Sequence, residues 1–150
     1  MTSLKQQLHS RCLTYVEDRI KAAQEAIHIA QQSANEETKS SAGDKYETGR
    51  AMAQLEIEKN GVQLAEALKL KRTLEQILPA NETKTVHVGS LVNTNQGNFY
   101  VAISAGQFTI DDVVYFVISP ASPIGQKLMG LHVKQGFLFN KKEFSVLQVS

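Results

Sequence analysis

Pro79 separates two stretches of this chain whose hydrophobic residues repeat with different periods, and that change constrains the fold more than any other feature. From Thr2 to about Ala34 there is neither Pro nor Gly, and the strong helix formers Gln, Ala, Glu, Lys and Leu predominate. One long helix is expected. Its apolar residues Leu13, Val16, Ile20, Ala23, Ile27 and Ala30 alternate three and four apart, the heptad spacing that lines a seam for a partner helix. Glu17, Asp18, Arg19, Lys21 and Glu25 take the other faces, where burial would be costly, so the helix should project into solvent. The polar stretch Asn35 to Gly43 breaks the pattern. A second helix is expected from Asp44 to Leu78, with a seam of Ala53, Ile57, Asn60, Leu64, Ala67, Lys71, Leu74 and Leu78, and Pro79 ends it. Asn60 and Lys71 are polar interruptions suited to fixing register. The short connection implies an antiparallel hairpin over 1–79, about 45 Å long at roughly 1.5 Å per residue.

Ala80 to Thr85 reads as a polar linker, and from Val86 to the end the pattern alternates with period two. Val86 and Val88, Phe99 with Val101 and Ile103, Val113 with Tyr115 and Val117, and Phe144 with Val146 are spaced as half-buried strands. Turns are expected at Asn93 to Asn98, Ala105 to Gln107 and Asn140 to Lys142, the last closing a hairpin between Phe137 to Phe139 and Glu143 to Val149. One helix interrupts the strands: Ser122 is a good N-cap, Pro123 suits the first helical position and Gly130 suits the exit. The fold class is therefore α+β, a helical hairpin (coiled coil) over 1–79, a linker over 80–85 and a small β-rich domain over 86–150.

Composition removes several function classes. Lys plus Arg number 16 against 15 Asp plus Glu, so any electrostatic function must be local. No apolar run approaches the roughly 20 residues of a membrane span, and the start lacks a secretory pattern, so a cytoplasmic protein without a membrane partner is expected. Cys12 is the single cysteine and reads as a packing residue. His9, His28, His87 and His132 have no ligand spacing and are expected at the surface or its boundary. Phe99, Tyr115, Phe137, Phe139 and Phe144 are spaced for core packing rather than for an isomerase pocket.

Two stretches resemble the GreA/GreB transcript-cleavage family. At the hairpin tip, Gly43-Asp44-Lys45-Tyr46-Glu47 is similar to that family's Gly-Asp, two variable residues and Glu; the acidic tip spans about 36–47. Near the C-terminus, Ser122-Pro123-Ile124-Gly125 through Leu128 and Gly130, with the strand Glu143 to Val149, is similar to its Ser-Pro-Ile helix and closing strand. Together they span nearly the whole chain. The resemblance implies an FKBP-like C-terminal domain that grips bacterial RNA polymerase while the hairpin enters the secondary channel and approaches the 3′ end of the nascent RNA. It further implies an accessory factor rather than an enzyme. The polymerase's own nuclease would be stimulated, with Asp44 and Glu47 helping to hold an Mg²⁺ shared with the polymerase and none bound by the isolated protein.

Hard carboxylate oxygens are the ligands such a metal takes, and residues three apart share a helix face. Asp-x-x-Glu at a helix start is equally a capping box, and one tip can serve both roles. Where Gre factors continue with Asn-Ala-Glu-Tyr, this chain has Thr48-Gly49-Arg50-Ala51, which reverses a charge beside the proposed ion. Lys39, Lys45, Arg50 and Lys59 are candidate phosphate contacts on RNA, or plain solvated charge. Ser122, Pro123, Ile124 and Gly130 are the candidate polymerase-docking segment, and also ordinary helix punctuation. A monomer fits the intrachain hairpin. The other readings are a channel-binding regulator without cleavage stimulation and a coiled-coil adaptor or oligomerisation module.

Overall fold

The computed structural model describes residues 3–40 and 44–150, the side chains of 37–40 and 44–47 excepted. Its elements are α1 (Leu4–Ser40), α2 (Asp44–Glu75), β1 (Leu91–Thr94), β2 (Gly97–Val101), β3 (Gly106–Ile110), β4 (Val113–Ile118), α3 (Pro123–Leu128), β5 (Gly136–Phe139) and β6 (Lys142–Val149). The α+β class is the one expected: a long helical hairpin and a mixed six-stranded sheet with one short helix. The chain gathers into two compact units, one of Tyr15–Lys71 and one combining Met1–Thr14 with Arg72–Ser150.

In the helical unit the heptad seam is the buried one. Val16, Ala23 and Ala30 of α1 and Ala53 and Ala67 of α2 are buried, with Ile20, Ile27, Ile57, Asn60 and Leu64 half-buried between them. Alanine at so many of these positions lets two helix backbones approach closely. α1 runs further than expected, through Asn35 to Ser40, because Glu36, Glu37 and Lys39 are helix formers and no Gly or Pro precedes Gly43. α2 stops earlier than expected, at Glu75. The amides of Gln76 and Ile77 donate to the carbonyls of Thr73 and Leu74 at 3.3 and 3.1 Å, a tightened last turn that absorbs orphan groups before Pro79. Ile77 is thereby buried, while Leu78, placed on the seam by its spacing, is 66% exposed.

In the globular unit the strand order is β3-β4-β2-β1-β6-β5, antiparallel throughout except for the parallel pair β2 and β4. β2 is buried on both faces. On one, Phe99 and Val101 join Val86, Val92, Phe144, Val146 and Leu128 of α3 in a single core, and Phe137 stacks on Phe144 with ring centroids 4.9 Å apart. On the other lies Tyr100, whose hydroxyl meets His9 of α1; Leu8 and Cys12 of α1 and Leu74 of α2 are fully buried in the same unit. Burying a Leu-sized side chain contributes about 1.5–3 kcal/mol, so the first turns of α1 are as much a part of this unit as any strand.

Three strand assignments change. Val86 and Val88 do not form a strand: Val86 is clamped by its amide to Leu131 and its carbonyl to Gly130, both at 2.8 Å, beside one isolated bridge from Thr85 to His132. The strand through Phe99 ends at Val101, not Ile103. The turn expected at Ala105 to Gln107 falls at 102–105, since β3 begins at Gly106; the chain reverses there, because β2 runs parallel and β3 antiparallel to β4. It reverses again at Asp111-Asp112, both in the left-handed region (φ 52° and 64°), the backbone that a two-residue hairpin requires. Asn140-Lys141 repeats it between β5 and β6 (φ 49° and 66°).

Candidate functional site

The hairpin tip is positioned by where the two long helices stop and start. α2 begins at Asp44, so the backbone sets Asp44 and Glu47 in one helical turn and on one side of it. The side chains of Lys39, Asp44, Lys45 and Glu47, and the connection 41–43, lie outside the described residues. Arg50 follows within the next turn and is exposed, and Glu36, on the last turns of α1, is exposed too. Among the described residues no three His, Cys, Asp or Glu side chains converge as a metal site.

The second candidate segment is fully described. Ser122 caps α3: its Oγ accepts the Gly125 amide at 3.1 Å and donates to the Ser119 carbonyl at 2.7 Å. Pro123 occupies the first helical turn, where its missing N–H costs nothing. Ile124 is half-buried against the core around Leu128. Gly130 leaves the helix at φ +83° and donates to Val86 at 2.8 Å. Each of these residues therefore has a structural job, and the exposed part of the segment is Pro123, Gln126, Lys127 and Gly130.

One buried polar pair has no counterpart in the sequence expectations. His9 is buried, not at the surface, with Nδ1 3.0 Å from the Tyr100 hydroxyl; His28, His87 and His132 are exposed as expected. Burial lowers the His9 pKa against the opposing influence of the Leu74 backbone, and burial raises that of Tyr100. Lys5 is buried one turn earlier; its ammonium donates to the Asn81 carbonyl, and burial lowers its pKa against the nearby Glu82. The signal was present: Lys5, His9, Cys12 and Val16 continue the three-four spacing toward the N-terminus, and reading the seam from Leu13 missed it. Among the described residues no helix is long and apolar enough to cross a membrane.

Known proteins add little to this geometry. No protein-family model matches the chain, and no curated protein matches it. Among solved structures it is similar to one titled as that of the transcription factor Gfh1, at 22% identity over 94% of this chain and 92% of that one, with a TM-score of 0.34. A superposition that loose leaves the function of this chain to its own residues.

Proposed function

We propose that this chain is an RNA polymerase accessory factor of the Gre type, whose helical arm enters the polymerase secondary channel and brings Asp44 and Glu47 to the active site. The observation that carries the reading is the arm: two helices of 37 and 32 residues, paired along an alanine-rich seam, the second of which begins at Asp44. From Tyr15 to Ser40 at about 1.5 Å per residue, the arm is roughly 40 Å long. That is enough to carry a carboxylate down a channel that a sheet cannot enter.

Two carboxylates on one helical turn fit an Mg²⁺ ion only in part, since the ion takes about six oxygen ligands in near-octahedral geometry. Asp44 and Glu47 would hold one side of it in the complex, and the polymerase would supply the rest. When bound there, the ion would make a potent water nucleophile and steady the charge on the scissile phosphate. Lys39, Lys45 and Arg50 flank the tip and would position the RNA backbone without reading its sequence. Ser122 to Gly130 would present its exposed edge to the polymerase, held in shape by the Ser122 cap.

A transcript-cleavage assay on backtracked polymerase tests the proposal. Wild type should stimulate cleavage, and Asp44→Ala and Glu47→Ala should each reduce it by tenfold or more while binding survives. Binding without stimulation by the wild type would give the inhibitory form of the same factor, with Arg50 in place of an acid as its cause; no binding at all would end the proposal.

A further inference from the structure

α2 carries a second run at heptad spacing, separate from the one that faces α1. Met52, Leu55, Lys59, Val62 and Glu66 follow one another at intervals of three and four and so form a single stripe along the helix. The stripe is turned well away from Ala53, Ile57, Leu64 and Ala67, which line the seam inside the arm. Its apolar members are open to solvent: Met52, Leu55 and Val62 are 62, 61 and 58% exposed. At the Met52 end it meets Ile29 of α1, 57% exposed, across a groove of about 430 Å³ floored by Ala26, Ala30 and Ala53. A single exposed Leu is ordinary on any surface, but a run of apolar side chains at the spacing of a helix-pairing seam is not.

We infer that this stripe is the contact between two copies of the chain, paired antiparallel about a two-fold axis that passes midway between Leu55 and Lys59. In that register Met52 of one copy meets Val62 of the other, and Leu55 meets the methylene stem of Lys59, each contact occurring twice, as an isologous interface requires. Lys59 selects the occupant. Among the described residues its ammonium has no hydrogen bond or ion pair, although it interrupts an otherwise apolar stripe. Antiparallel pairing sets Glu56 and Glu58 of the second copy within a turn of it, so the stripe supplies its own opposite charge. The seam is short, about four turns of one helix, and the dimer therefore forms as concentration rises and separates on dilution. The inference needs only α2 and stands whether or not the arm enters a polymerase.

Sedimentation velocity on the full chain over a rising concentration series provides the test. The weight-average coefficient should climb from the monomer toward the dimer value, and Leu55→Glu should hold it at the monomer value throughout. Lys59→Glu alone, and the double variant Glu56→Lys with Glu58→Lys alone, should each lose association at low salt, whereas an equimolar mixture of the two should recover it. All of these replacements are helix formers on an exposed face, so unchanged far-UV circular dichroism shows that the arm is intact. A wild type that stays monomeric at every concentration overturns the inference. So does association that survives Leu55→Glu, or a mixture that associates no better than its components.

Discussion

His9 Nδ1 and the Tyr100 hydroxyl, 91 residues apart in sequence, lie 3.0 Å from each other, with the rings edge to face at 88°. The pair ties the first turns of α1 to the strand at the middle of the sheet, where Tyr100 is fully buried and His9 is 8% exposed. Tyr100→Phe should therefore leave a buried ring nitrogen unsatisfied and cost about 1–3 kcal/mol in urea denaturation. Combining it with His9→Phe should cost less than the sum of the single changes, because both polar groups then go together.

Acid should loosen this contact. The folded-state pKa of His9 lies below its ordinary 6.5, so the unfolded chain takes up a proton first as pH falls. Its contribution is fully present above about pH 6.5 and is lost progressively as pH drops toward the lowered folded value. Thermal melts of wild type and His9→Gln between pH 8 and 5 should show a steeper decline for wild type; parallel curves would remove His9 as the cause.

The Cys12 thiol gives the opposite limb. Burial pushes its pKa up from 9.0 to about 12, so the folded chain keeps the proton that the unfolded chain releases. Stability from this group is intact below pH 9 and is lost as pH rises from there toward 12. At pH 8 a thiol reagent should label Cys12 only as fast as the unit opens, and labelling of the native protein within seconds would contradict the burial.

The turn into α3 has little tolerance. Ser122→Ala removes the acceptor for the Gly125 amide and should cost about 1 kcal/mol in thermal or urea denaturation. Gly125→Ala should cost more, since a Cβ there would lie 2.1 Å from the Ser119 carbonyl oxygen and 2.8 Å from Ser122 Oγ. Equal losses for the two variants would mean that the loop shifts to admit the methyl group.

Local signals made most of the fold legible. The alternation of Val16, Ala23 and Ala30 marks the arm, and Ser122-Pro123 marks the start of α3, because helix pairing and capping are decided within a few residues. The misses have non-local causes. Val86 and Val88 alternate like a strand, yet Val86 is held by Gly130 and Leu131, and nothing near it in the chain announces that. The β3–β4 hairpin was missed although Asp111-Asp112 stands between Phe108 with Ile110 and Val113 with Tyr115, a turn signal passed over for the glycine at position 106. Of the candidate site, the order of residues and the helix start at Asp44 were readable. The place of His9 on the continued seam was readable too, but its pairing was not, because Tyr100 is a strand residue beyond the whole length of the arm.

The globular unit is interrupted between Thr14 and Arg72, and the chain that departs at the first point returns at the second. Such an arrangement makes the arm an insertion whose length can drift without disturbing its host. Deleting one heptad from each helix at facing positions would keep both stripes in phase and shorten the arm by roughly 10 Å. Descendants of this chain can thus retune the length of the arm in fixed increments, leaving the rest of the molecule as it stands.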